Sequence, residues 1–188
     1  MTAPQRAGGL GAALRLAAIG LVAVVIAVAL IVIGRVHTPN YYFSLFGSPT
    51  DALRAKSLLA SIVLGAAVVQ VLLALWIYRK LPLAGAAPRP VRPAHRIIGA
   101  AAFLLTVPIA IHCLIAYGVQ FTDLRRTVHS LAGCFFYGAF TAKVLIVQSR
   151  RLPGWALPVA GGTLALLILA LWYTSAVYYY NNFSLPGF

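Results

Sequence analysis

Five long apolar runs constrain this chain more than any other feature: residues 16–34, 57–78, 97–118, 128–147 and 157–180. Each holds about the 20 residues that cross roughly 30 Å of hydrocarbon at about 1.5 Å per residue. Hydrocarbon supplies no water to hydrogen-bond a peptide group, so each run must satisfy its own backbone, and only a helix does that within one segment. The expected fold is all-α and polytopic. Five transmembrane helices make one integral membrane domain over residues 1–188, with helices 2–5 forming a four-helix bundle and helix 1 peripheral. Composition agrees: 62% of the residues are hydrophobic and 9% charged, whereas soluble domains carry about 25% charged residues.

The net charge of +13 does not imply a nucleic-acid partner. Most of the Lys and Arg sit in short loops at the ends of the apolar runs, where topology signals and contacts with anionic lipid belong. Arg6, Arg15, Arg79, Lys80, Arg89, Arg92, Arg96, Arg150 and Arg151 fall on one side; Arg35, Arg54, Lys56, Arg125 and Arg126 fall on the other. The richer side is expected to be cytoplasmic. The expected location is therefore the bacterial cytoplasmic membrane, multi-pass, with the N-terminus cytoplasmic and the C-terminus extracytoplasmic. The first run is expected to be retained, because Arg35, Val36 and His37 stand where a signal peptide needs small residues. Cys113 and Cys134 lie inside apolar runs without a CxxC or CxxCH pattern, which leaves zinc ribbons, thioredoxin-type sites and c-type haem unsupported. The only acidic residues, Asp51 and Asp123, lie outside the apolar runs, so paired-carboxylate chemistry is unsupported too.

The four histidines carry the chemical content. An ionisable group inside a membrane helix is costly and is a functional candidate by default. His112 precedes Gly118, the expected end of helix 3, by six positions, about 9 Å of helix. His129 follows Thr122, the expected N-cap of helix 4, by seven positions, about 10 Å. The linker is short, so helices 3 and 4 are expected to be antiparallel neighbours with two imidazoles at one depth. Axial ligation of a b-type haem needs such a pair. Gly133, one turn from His129, leaves room beside the ring. Arg125 and Arg126 stand one turn above, where their guanidinium groups suit propionate carboxylates. Cross-helix hydrogen bonding by the same histidines is the alternative, and a proton or quinone path is a third.

His37, His95 and Lys143 are secondary candidates. His37 lies beyond helix 1 at the outer edge, His95 opens helix 3 at the inner edge, and Lys143 reaches toward the inner boundary. Gln70 is expected to bond across to helix 3 or 4. Gly138 and Ala142 have the small-xxx-small spacing of a close helix approach.

The segment His129-Ser130-Leu131-Ala132-Gly133-Cys134-Phe135-Phe136-Tyr137-Gly138-Ala139-Phe140, followed by Lys143, resembles the signature of an uncharacterised family of small bacterial integral membrane proteins, a domain of unknown function. Pro108–Cys113, His95-Arg96 with Gly99, Leu45-Phe46-Gly47, Lys56 and Leu152–Pro158 fit the same pattern, and the resemblance covers residues 38 to 180. It implies a membrane location and a common fold and supplies no reaction. More distantly, helices 3 and 4 are similar to the histidine-bearing helices of b-type cytochromes in the transmembrane ferric-reductase and ascorbate-reductase class. That similarity implies haem b. This chain departs from it, having His95 and His112 on helix 3 but only His129 on helix 4, with Lys143 near the place of an inner partner. The expected function is electron transfer through one haem near the outer face, held by His112 and His129, with a quinone or an extracytoplasmic redox protein as redox partner. A non-enzymatic anchor or assembly subunit with structural histidines is the alternative. No catalytic residue is assigned.

Overall fold

The computed structural model describes residues 3–82, 85–149 and 152–187, with side chains from residue 9 onward. Arg150 and Arg151, counted in the orientation argument, lie outside the described residues. Five helices are long and apolar enough to cross a membrane: α1 (Ala3–Val36), α2 (Pro49–Ile77), α3 (Val91–Ala116), α4 (Leu124–Gln148) and α5 (Ala156–Tyr180). No strand occurs among the described residues. The loops 37–48 and 117–123 and the C-terminal segment form one end of the molecule, called here the upper end.

Local signals set the helix ends. Ser48 caps α2 by accepting the Asp51 N–H at 3.2 Å, with Pro49 at the first helical position, where its missing N–H costs nothing. Gly118, with φ +66°, turns the chain out of α3, and a Cβ there would strike the Gly34 carbonyl. The expected N-cap of α4 is corrected from Thr122 to Asp123. The Asp123 carboxylate accepts the Arg126 N–H at 2.8 Å, and Thr122 remains outside the helix. A carboxylate is the stronger acceptor and also suits the positive end of the helix dipole.

The backbones pack in the order α1, α4, α5, α2, α3. The expected four-helix bundle of α2–α5 is present, and the peripheral position of helix 1 is corrected. α1 makes the most extensive helix–helix contact of the molecule, on α4. Gly138 explains it, since a Cβ there would overlap the Ala23 carbonyl of α1. Only a missing side chain lets two backbones approach this closely without hydrophobic drive, as membranes require. At the upper end, α1 is also tied to α3. Val119 N–H donates to the Gly34 carbonyl at 2.9 Å, and Asn40 N–H donates to the Ile115 carbonyl at 3.0 Å.

α3 and α4 are consecutive, yet they are absent from the pairs whose backbones approach closely. Aromatic side chains bridge them: Phe103 stacks on Phe140 at 3.8 Å, and the Tyr137 hydroxyl donates to the Thr106 carbonyl at 3.1 Å. Large rings hold the two helices apart, and the space between them becomes the central cleft.

Candidate functional site

Above the aromatic bridge lies a cavity of about 150 Å³. Thr106, Ile109, Ala110 and Cys113 of α3 line one wall; His129, Ser130, Gly133, Cys134 and Tyr137 of α4 line another; Leu171, Trp172 and Ser175 of α5 line a third, and Leu30 of α1 with Ala60 and Val63 of α2 complete the lining. The cysteines are free thiols. His129 is the ionisable imidazole on this wall, and Gly133 one turn away is expected beside it; a Cβ at Gly133 would only touch Leu171 at 3.8 Å.

The hydrogen bonds fix which nitrogen of His129 is open. Thr174 is 1% exposed, and its hydroxyl donates to the Ala170 carbonyl at 2.7 Å. Its one proton is thereby used, so the 2.9 Å contact between His129 Nδ1 and Thr174 Oγ1 requires Nδ1–H to donate. A neutral imidazole then carries its lone pair on Nε2. His129, which lines the cavity, thus has Nε2 as its free acceptor.

α5 supplies Thr174 through an irregularity. Residues Tyr173–Val177 form a π-turn, and the Tyr178 N–H bonds the Ser175 carbonyl. The Thr174 carbonyl accepts instead from Arg125 Nη1 at 2.9 Å. Arg125 also lies over the Tyr178 ring at 3.8 Å. Arg126 is committed elsewhere, donating to Thr122 Oγ1 at 3.0 Å and pairing with Asp123 at 3.3 Å. Single π-turns within α-helices are frequent at functional sites. The Arg126 backbone N–H, with the Arg126 and Arg125 charges and Thr122 beside it, holds the exposed Asp123 carboxyl below its ordinary value.

His112 is placed differently. It is 2% exposed and does not line the cavity. Its ring lies among Phe46 at 5.6 Å, Tyr117 at 5.7 Å and Phe43 at 6.2 Å. The Leu45 N–H donates to Nδ1 at 3.4 Å, so the proton of its neutral form is on Nε2, where it has no partner. The two imidazoles thus show opposite tautomers: an open acceptor at His129 and an orphaned donor at His112. Lys56, at 4.6 Å over the Tyr117 ring, completes the surroundings of His112. Of the five residues expected at a haem, His112, His129, Arg125, Arg126 and Gly133, the cavity is lined by His129 and Gly133. His129 lines the cavity, His112 packs against the 37–48 loop, and both arginines have other partners.

The secondary candidates separate by end. His37 Nε2 donates to the Ile115 carbonyl at 3.0 Å, and so pins α1 to α3. At the opposite end Gln70 reaches α3, its Nε2 donating to the His95 carbonyl at 2.8 Å. Lys143 is half-buried on α4. No group of three or more His, Cys, Asp or Glu is placed to hold a metal ion among the described residues. Sequence reasoning missed Thr174 and Leu45. A threonine in an apolar helix was the available signal for the first; the second acts through its backbone, which no side-chain pattern reports.

No curated protein and no solved structure matches this chain. The model of a family of unknown function, DUF6529, matches residues 16–187, nearly the whole molecule, and the chain belongs to that family.

Proposed function

We propose that this protein binds the ring head group of a lipid-soluble quinol in the cleft between α3 and α4, as a component of membrane electron transfer. One observation carries the reading: the only imidazole on the cavity wall has Nδ1 committed to Thr174, which leaves the Nε2 lone pair to meet the occupant. A cavity of about 150 Å³ accepts a molecule the size of benzene, and a quinol is a six-membered ring bearing a hydroxyl. The hydroxyl donates to His129 Nε2, the ring packs against Leu171 and Trp172, and the isoprenoid tail stays in lipid. Gly133 keeps the wall flat. Thr174 orients the imidazole, as a second hydrogen bond orients a working histidine.

The same reading places the upper end on the extracytoplasmic side. Among the described residues, Arg15, Arg79, Lys80, Arg89, Arg92 and Arg96 lie toward the lower end against Arg35, Arg54, Lys56, Arg125 and Arg126 at the upper, and the richer side stays in the cytoplasm.

Purified protein in detergent, titrated with a short-tailed quinol and followed by absorbance, tests the reading. Saturable binding that weakens at least about tenfold in His129→Ala supports it. A reduced-minus-oxidised b-type haem band lost in His112→Ala and His129→Ala overturns it in favour of haem ligation. Absence of both signals overturns it in favour of an anchor or assembly role.

A further inference from the structure

A second pocket, of about 400 Å³, opens at the upper end where α4 begins and α5 ends. It shares no lining residue with the His129 cleft. Its walls carry two guanidinium groups, Arg125 and Arg126, one carboxylate, Asp123, and the rings of Tyr178 and Phe183. One positive charge is left over.

Arg125 is half-buried and held from two sides. Nη1 donates to the Thr174 carbonyl at 2.9 Å, and the guanidinium lies over the Tyr178 ring at 3.8 Å. These contacts use one of its five N–H groups and one of its two faces. An arginine fixed in advance does not have to be ordered again when an anion meets its remaining N–H groups. Arg126 commits Nη1 to Thr122 and Nε to Asp123, which leaves Nη2 uncommitted among the described residues. The end of α4 is not itself the binding group, because Asp123 already accepts the Arg126 N–H at 2.8 Å. The guanidinium groups are the donors on offer.

The C-terminal turn builds the facing wall in a strained way. Asn182 and Phe183 have φ of +51° and +61°, a left-handed conformation that usually falls to glycine after a helix. The Phe183 N–H closes the turn on the Tyr178 carbonyl at 2.8 Å. This sets the Phe183 ring edge-on to Tyr178 at 5.5 Å and to Tyr179 at 6.0 Å. Strained side-chain-bearing residues gather at ligand clamps.

An occupant that suits these walls carries one negative charge on oxygen atoms that guanidinium N–H groups can reach. A phosphate diester does so, and the pocket lies at the helix ends, the level of lipid head groups. Leu124 and Phe183 stand exposed at the same rim and suit a lipid's glycerol and first methylenes. A choline head would bring a second cation against the guanidinium groups; a neutral glycerol head would not.

We propose that this pocket binds a singly charged phosphate, presented by the diester of an anionic phospholipid such as phosphatidylglycerol or as free inorganic phosphate, with Arg125 and Arg126 as its donors. The site is independent of the quinol reading. Native mass spectrometry of the full-length protein in detergent, titrated with phosphatidylglycerol, with phosphatidylcholine and with inorganic phosphate, tests it. Phosphatidylglycerol is expected to bind about tenfold more tightly than phosphatidylcholine. Displacement of the lipid by inorganic phosphate assigns the source to the free anion, and failure of displacement assigns it to the lipid; both support the site. Arg125→Gln also breaks the Thr174 contact, so exposed Arg126 carries the test. Arg126→Gln is expected to remove most of the preference. Asp123→Asn keeps the cap and removes the opposing charge, and should strengthen binding about twofold to fivefold, a gain that a merely structural role would not produce. Arg54→Gln, an exposed cation at the same end but outside the pocket, should leave the preference unchanged. Equal retention of both lipids by the wild type, an unchanged preference in Arg126→Gln, or an equal loss in Arg54→Gln overturns the proposal.

Discussion

Thr174 and His129 show how one hydroxyl proton decides the chemistry of a cleft. Because Thr174 spends its proton on Ala170, His129 donates from Nδ1 and keeps Nε2 as its acceptor, the atom the quinol reading uses. Thr174→Val keeps the shape and removes the partner. We expect quinol affinity to fall about fivefold, the equivalent of one hydrogen bond of about 1 kcal/mol, as measured by the same absorbance titration. An unchanged affinity would mean that the ring is held by packing alone. Asp123 offers a different test, because it is exposed and outside the spans. Its folded value is depressed, chiefly by the Arg126 N–H. Its stabilising contribution is therefore present above the ordinary carboxylate value of about 3.9 and is lost as pH falls through the depressed folded value. Thermal unfolding should become less stable over that acid range in the wild type, with the dependence reduced in Asp123→Asn, which still caps.

At the scale of the element, α4 carries two glycines with opposite expectations. A Cβ at Gly138 would overlap the Ala23 carbonyl of α1, whereas one at Gly133 would only touch Leu171 at 3.8 Å. Gly138→Ala should therefore destabilise by about 1 to 3 kcal/mol through overpacking, and Gly133→Ala should change stability little, both read by denaturant unfolding in detergent. Equal effects would remove the α1–α4 contact from its central place. The helices themselves, the small-residue spacing on α4 and the reach of Gln70 to α3 were legible, because hydrophobic length and residue size act locally along the chain. The partners of the histidines were not. Depth along a helix follows from residue count, but direction around it depends on which neighbour packs where. The aromatic bridge of Phe103, Tyr137 and Phe140 and the π-turn in α5 arise only from packing, and together they turned His112 toward the 37–48 loop and His129 toward Thr174.

At the scale of the whole molecule, five spans arranged in the order α1, α4, α5, α2, α3 leave a cleft where consecutive helices would otherwise close. The upper and lower ends differ in chemistry: aromatic rings and a buried imidazole at one, and at the other the Gln70 amide oxygen and His95 Nδ1, which have no partner among the described residues. If the basic lower end is cytoplasmic, a cysteine placed at exposed Tyr42 should react with a membrane-impermeant maleimide added outside intact cells, and one placed at exposed Arg89 should not; the reverse pattern would invert the molecule. The quinol reading stands on the open acceptor of His129. Nitrogen-15 NMR of histidine-labelled protein in micelles reads it directly. Nδ1 of His129 should be protonated and Nε2 unprotonated, with the Nε2 resonance moving as quinol is added. A protonated Nε2, or a resonance unmoved by saturating quinol, would contradict it.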